Sequence, residues 1–178
     1  MRIRNTGGTR NPAGFVAVLS LFLVLLGATP PLHADEPFAR SKDYDLEHSR
    51  ISLRFDLDQK KVIGDVTHTL TILRDTQSIT FDSAGLQIQS VTVNKVAATF
   101  ETSEDKLRVA LSKPAKPGEK FTVEIKYQGK PTKGLFFVLP DKDYPNRPRQ
   151  IWTQGESEDT RYYLPTYDYP NDRLTTET

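Results

Sequence analysis

Between residues 121 and 127 every second side chain is apolar: Phe121, Val123, Ile125 and Tyr127 alternate with Thr122, Glu124 and Lys126. A period of two sends the two sets to opposite faces of a pleated strand, so this segment is committed to a sheet with one buried face. The pattern recurs along the chain. Ile51, Leu53, Phe55 and Leu57 alternate with Ser52, Arg54 and Asp56, and Val66, His68, Leu70 and Ile72 alternate with Thr67, Thr69 and Thr71. β-Branched threonines suit a pleated, partly exposed surface. Residues 79–81, 86–93, 106–111 and 134–138 read as shorter strands, with an irregularity near Gln89 and Ser90. Asp58-Gln59-Lys60-Lys61 reads as a turn. Residues 113–118 (KPAKPG) read as a loop, because proline lacks a ladder donor and glycine accepts positive φ. Beyond the N-terminal segment no stretch of helical length has a 3.6-residue period. About eight or nine short strands separated by regular turn signals predict an all-β fold, an antiparallel sandwich or curved sheet.

The first 34 residues read as a secretory signal peptide. Arg2, Arg4 and Arg10 precede an apolar run at 15–27, no acid occurs before Asp35, and Pro30-Pro31 and Ala34 mark the cut. A spanning helix needs roughly 20 apolar residues, more than this run holds. The chain is therefore expected to be exported to a periplasm or the exterior, or held at a membrane if the signal stays on. Residues 35–43 read as a polar linker, and 44–178 as the β-domain.

Composition narrows the chemistry. The chain has no Cys, which removes disulfides, thiolate metal sites and Cys nucleophiles. Its 24 Lys and Arg nearly cancel 23 Asp and Glu, so no basic face for nucleic acid is expected. Three His (His33, His48 and His68) are too few for a multi-histidine site. His68 lies on the apolar face of a strand, where a hydrogen-bonded, half-buried imidazole is expected. His48 is expected to be solvated. No metal ligand and no catalytic residue is assigned in this chain.

From Gln150 the texture changes. This tail holds the only Trp, Trp152, with Tyr162, Tyr163, Tyr167 and Tyr169, and packs Glu156, Glu158 and Asp159 closely together. Carboxylates beside aromatic rings suit an ammonium group. The same composition also suits a structural loop, with Arg161 pairing to Asp159 or Asp168 and Pro165 and Pro170 stiffening the path.

Thr153-Gln154-Gly155-Glu156, then Arg161, then Leu164-Pro165-Thr166-Tyr167-Asp168-Tyr169-Pro170 resembles the segment TQxE…AR…PCFDxP of the aminopeptidase N-type zinc metallopeptidases. That family includes membrane alanyl aminopeptidases and leukotriene-A hydrolase. Tyr44-Asp45-Leu46-Glu47-His48, Gly64-Asp65-Val66, Pro117-Gly118-Glu119 and Gly134-Leu135-Phe136 resemble the strand motifs of its N-terminal domain. The resemblance covers about residues 43–178. It implies a saddle-like, antiparallel N-terminal β-domain, a curved sandwich, that caps an active-site cleft. It gives Glu156 the role of binding the substrate's α-amino group and Gln154 a supporting contact. Thr166 stands where the family often has Cys.

In that family catalysis belongs to a following zinc domain with HExxH, a further Glu and a G-x-M-E-N loop. None is present here, and the only Met is Met1. The resemblance thus implies the N-terminal part of an exported zinc aminopeptidase, truncated at its C-terminal end and inactive alone. Zinc is expected in the missing domain and no cofactor on this chain. The expected partners are a peptide N-terminus and that zinc domain. The alternative is a complete secreted, non-catalytic β-sandwich that binds a ligand through its aromatic and acidic tail.

Overall fold

The computed structural model describes residues 40–178. The signal segment 1–34 and the front of the linker lie outside the described residues. Eleven strands occur among the described residues: β1 (Tyr44–Asp56), β2 (Lys61–Ile72), β3 (Thr76–Asp82), β4 (Leu86–Val93), β5 (Val96–Ala97), β6 (Phe100–Thr102), β7 (Lys106–Ala115), β8 (Lys120–Gly129), β9 (Leu135–Val138), β10 (Gln150–Thr153) and β11 (Thr175–Glu177). A large sheet has the order β11-β1-β2-β8-β4-β5, a second sheet the order β3-β7-β6, and β9 and β10 form a separate ribbon. The pairs are antiparallel except β1 with β11, which is parallel. Three short strands (β5, β6 and β10) were not expected, because two to four residues are too few to display an alternation.

The alternating residues of 121–127 form β8, inside the large sheet between β2 and β4. Val123, Ile125 and Tyr127 are fully buried. They meet Ile79, Phe81, Leu107 and Val109 of the second sheet in one continuous apolar core, which makes the two sheets a sandwich. Tyr127 fits only because residue 64 is glycine, where a Cβ would lie 2.1 Å from Tyr127 Cζ.

β1 changes register at Glu47, where a bulge lies between Leu46 and His48. Tyr44 and Leu46 face the core before it, and Ser49, Ile51 and Leu53 turn inward after it. The far end of β1 is more open than its alternation implied: Phe55 is 40% exposed, meeting Phe137 edge-on at 6.3 Å.

The loop expected at 113–118 is shorter than the sequence indicated. β7 runs on to Ala115, and only 116–119 turn. Ser78 pairs with Ala110 and Thr76 with Ala115, so residues 111–114 bulge out of the ladder and Pro114 has no bond to forfeit. The irregularity expected near Gln89 is present as a register shift between Ile88 and Ser90. Lys60, in the expected turn after β1, takes a positive φ of 51°, and the Asp56 carboxylate accepts from the Gln59 amide at 2.9 Å.

Candidate functional site

The β9–β10 ribbon pairs Trp152 directly with Phe136, and their rings stack at 4.4 Å. Gln154 extends the ladder by one bond, its amide donating to the Gly134 carbonyl at 2.8 Å. Gly134 needs its positive φ of 73°, and a Cβ there would lie 1.9 Å from the Asp159 carbonyl oxygen. Gly155 then opens a tight turn in which the Asp159 amide donates to the Gly155 carbonyl at 3.0 Å. A Cβ on Gly155 would lie 2.4 Å from the Thr160 hydroxyl oxygen. These two glycines bring residues 153–156 back against the short 3₁₀ turn Thr160–Tyr162. Gln154 and Glu156 are both exposed. Among the described residues neither side chain has an ion pair or a hydrogen-bond partner.

The chain beyond this loop is tied down firmly. The Arg161 guanidinium donates to the Asp168 carboxylate at 3.1 Å and to its backbone carbonyl at 3.1 Å, and also pairs with Glu158. Of the two partners expected for Arg161, Asp168 is the one used; Asp159 lies 3.8 Å from Lys133 instead. Asp82, at the end of β3, anchors the segment from below. Its buried carboxylate accepts from Arg40 at 2.8 Å, from Lys106, and from the Asp168 amide at 2.8 Å. Burial alone would push the Asp82 carboxyl up, but the hydrogen bonds from Arg40 and Lys106 outweigh it and hold the group below its ordinary range. Backbone bonds between Asp82 and Thr166, at 2.7 and 3.0 Å, stitch the tail to β3. Asp82 was not singled out in the sequence, where it is one isolated acid after Phe81 with no local signal. Arg40 and Lys42 of the expected linker are likewise engaged: Arg40 lies over the Tyr167 ring, and Lys42 bonds Asp172 at 2.7 Å.

The aromatic tail turns mostly inward. Tyr167 is buried against Tyr44, and Tyr163 gives its carbonyl to the Tyr127 hydroxyl. Of the tail's aromatic side chains Trp152 is the exposed one, at 48%.

His68 is completely rather than half buried. Its Nε2 donates to the Pro165 carbonyl at 2.8 Å, its Nδ1 accepts from the Ser49 hydroxyl at 2.7 Å, and its ring stacks on Phe81. Burial lowers its pKa to about 4, against a smaller raising effect of the Pro165 bond. Both ring nitrogens are used, so it has none to offer a metal. His48 shares its Nδ1 with the Thr175 hydroxyl at 2.7 Å. Among the described residues no group of three or more His, Asp and Glu side chains converges to hold a metal ion, and no zinc-dependent step is assigned to them. Clefts of about 540 and 470 Å³ flank the β7 bulge and lie on the outer face of the large sheet, and neither is lined by Gln154 or Glu156.

A two-sheet β-domain with a separate ribbon leading into an exposed Gln-Gly-Glu loop is the class this geometry defines. Residues 40–178 match the family model of the peptidase M1 N-terminal domain, and the chain belongs to that family. It is 26% identical over 135 residues to leucine aminopeptidase 2 of Yarrowia lipolytica, covering 72% of this chain and 21% of that protein. It is 24% identical over 159 residues to leucine aminopeptidase 2 of Coccidioides immitis, covering 83% and 26%. Its fold is similar to the M1 zinc metallopeptidase of Deinococcus radiodurans, with a TM-score of 0.64 at 24% identity over 79% of this chain and 33% of that one. It is also similar to leukotriene A4 hydrolase of Saccharomyces cerevisiae, with a TM-score of 0.64 at 20% identity over 75% and 22%. A mutant of the Deinococcus enzyme is known bound to a Tyr-Ser-Ala substrate. The chain thus spans between a fifth and a third of the proteins it matches.

Proposed function

We propose that this chain is the N-terminal β-domain of an exported zinc aminopeptidase, in which it borders the active-site cleft and Glu156 binds the α-ammonium group of the peptide substrate. The observation that carries the reading is the contrast at the loop. The segment from Arg161 to Asp168 is fully tied, while the Glu156 carboxylate just before it has no partner among the described residues. A carboxylate held on a braced loop is a suitable acceptor for a terminal ammonium, through a charge-assisted hydrogen bond. Gln154, on the same loop, offers an amide to the first peptide unit. Export rests on the basic start and apolar run of the signal segment. Peptide-bond cleavage needs a zinc ion and a general base from another domain, so the domain is inactive alone.

The test uses the enzyme encoded by the complete reading frame. Glu156→Ala is expected to raise KM for aminoacyl substrates. The loss of one charge-assisted hydrogen bond, worth about 1.5–3 kcal/mol, is a roughly 10- to 150-fold drop in kcat/KM. Unchanged KM and kcat would remove Glu156 from the role. A complete frame with no HExxH would remove the aminopeptidase reading altogether.

A further inference from the structure

Residues 111–114, which leave the β7 ladder, form a wall common to two clefts of about 540 and 320 Å³. Thr99, Ala110, Leu111, Ser112 and Lys113 line both. The clefts lie toward the end of the second sheet where Thr76 pairs with Ala115, whereas Asp82 and Lys106, beneath the tail, pair at its other end. The site is thus separate from the Glu156 loop. Its opposite wall is the β4–β5 hairpin. Asn94 pins that hairpin to β8: its amide donates to the Thr122 carbonyl at 2.8 Å and its side-chain carbonyl accepts from the Thr122 amide at 2.9 Å. Val96, just past the turn, is nevertheless 68% exposed, more than any other large apolar side chain among the described residues.

The two clefts differ in chemistry. The smaller is lined by Val93, Val96, Ala98, Leu111 and Phe121, and the one charged residue in its wall is Lys113. The larger adds Gln77, Ser78, Glu101 and Arg108. Arg108 uses its Nε–H on the Ser78 hydroxyl at 3.0 Å, which leaves its other guanidinium donors free. Glu101 is its cross-strand neighbour. Among the described residues neither Arg108 nor Lys113 is in an ion pair. Two cations face one acid in the polar cleft, and Lys113, at the junction with the apolar one, is the cation that no acid opposes. A mostly apolar cleft with one placed charge at its mouth suits a ligand that is apolar at one end and oppositely charged at the other. We infer that the paired clefts beside the β7 bulge bind a single-chain anionic amphiphile, a free fatty acid. Its alkyl chain lies between Val96, Leu111 and Phe121, and its carboxylate lies between Lys113 and Arg108. This goes beyond the aminopeptidase reading and does not depend on it.

The full chain is titrated calorimetrically with hexanoate, octanoate and decanoate, and with decan-1-ol, decyltrimethylammonium and acetate. NMR shifts of the Val96, Leu111 and Lys113 amides locate the binding. Saturable binding of the fatty acids is expected, tightening about two- to fourfold with each added methylene, because an open cleft dehydrates only part of the chain. Lys113→Gln is expected to weaken decanoate about three- to fivefold and to leave decan-1-ol unchanged. Val96→Asp should weaken both, while Glu156→Ala should bind decanoate as the unaltered chain does. Lys113 and Val96 are both exposed; if either variant fails to fold, the ligand series on the unaltered chain decides alone. Decan-1-ol or decyltrimethylammonium binding as tightly as decanoate overturns the inference, since the anion would then not be recognised. Acetate moving the same amides as strongly overturns it by reducing the site to a surface charge. No binding overturns it, as do shifts at Val96 and Leu111 that track protein concentration without ligand, which would show the cleft covered by a second copy.

Discussion

The Nε2 of His68 donates a hydrogen bond of 2.8 Å to the carbonyl oxygen of Pro165, 97 residues further along the chain. Because the Ser49 hydroxyl lies 2.7 Å from the other nitrogen, the ring is the neutral Nε2–H tautomer, with Nδ1 as acceptor. One imidazole thus links β1, β2 and the tail. A second proton, on Nδ1, would force the Ser49 hydroxyl to turn from donor to acceptor and would charge a group that has lost its water.

This arrangement predicts a pH dependence of stability. The folded-state pKa of His68 is about 4, below the ordinary 6.5, so the unfolded chain takes up the proton first. The stabilisation is complete above pH 6.5 and is lost as pH falls through the window from 6.5 to 4. The whole effect is about 3 kcal/mol. Urea midpoints measured between pH 7 and 4 are expected to fall steeply, and His68→Gln should flatten that slope.

Asp82 acts in a different range. Its carboxylate is the common acceptor for Arg40, Lys106 and the Asp168 amide. Asp82→Asn leaves both cations without their partner, but their side chains are 31% and 35% exposed and reach water. The cost is therefore expected nearer 2–3 kcal/mol than the 3–5 kcal/mol of a fully enclosed pair. Chemical denaturation at pH 7 measures it. Since the Asp82 pKa is lowered in the fold, its contribution is present above the ordinary carboxylate range and vanishes as pH falls below it.

Arg161→Lys keeps the charge and removes the fork that grips the Asp168 carboxylate, the Asp168 backbone carbonyl and Glu158. About 1.5–3 kcal/mol of local stability is expected to go. Hydrogen exchange should speed up at Asp159 and Tyr163, whose amides close the turn beside Glu156, before it changes in β8.

Gly134→Ala is expected to be among the most damaging substitutions in the ribbon. The new Cβ would meet the Asp159 carbonyl, a backbone atom that cannot swing aside, at a φ that L-residues adopt with strain. A loss of about 2 kcal/mol or more is expected in thermal unfolding. Gly118→Ala is the control: its φ is 86° with open space around the site, so it bears the backbone cost without the clash.

The sheet was legible because burial on one face imposes a two-residue period that survives in a single sequence. Phe121 to Tyr127, Val66 to Ile72 and Leu107 to Val109 all occupy strands, with alternate residues in the core. The β1 bulge and the extension of β7 through Pro114 were not read correctly from it, because each depends on which residues lie opposite. The membership of the family was also legible, through the ordered motif from Thr153 to Pro170.

By itself, the sequence determined the all-β class, the family and the identity of the exposed Gln154 and Glu156. Alternation, glycine positions and a motif are local properties that a chain carries in its order of residues. Only the tertiary structure decided that Asp82 lies beneath the tail, that His68 bonds Pro165, and that Phe136 stacks on Trp152. Each of those contacts joins residues far apart in sequence, and whether a charge is braced or a ring exposed depends on what the fold brings against it.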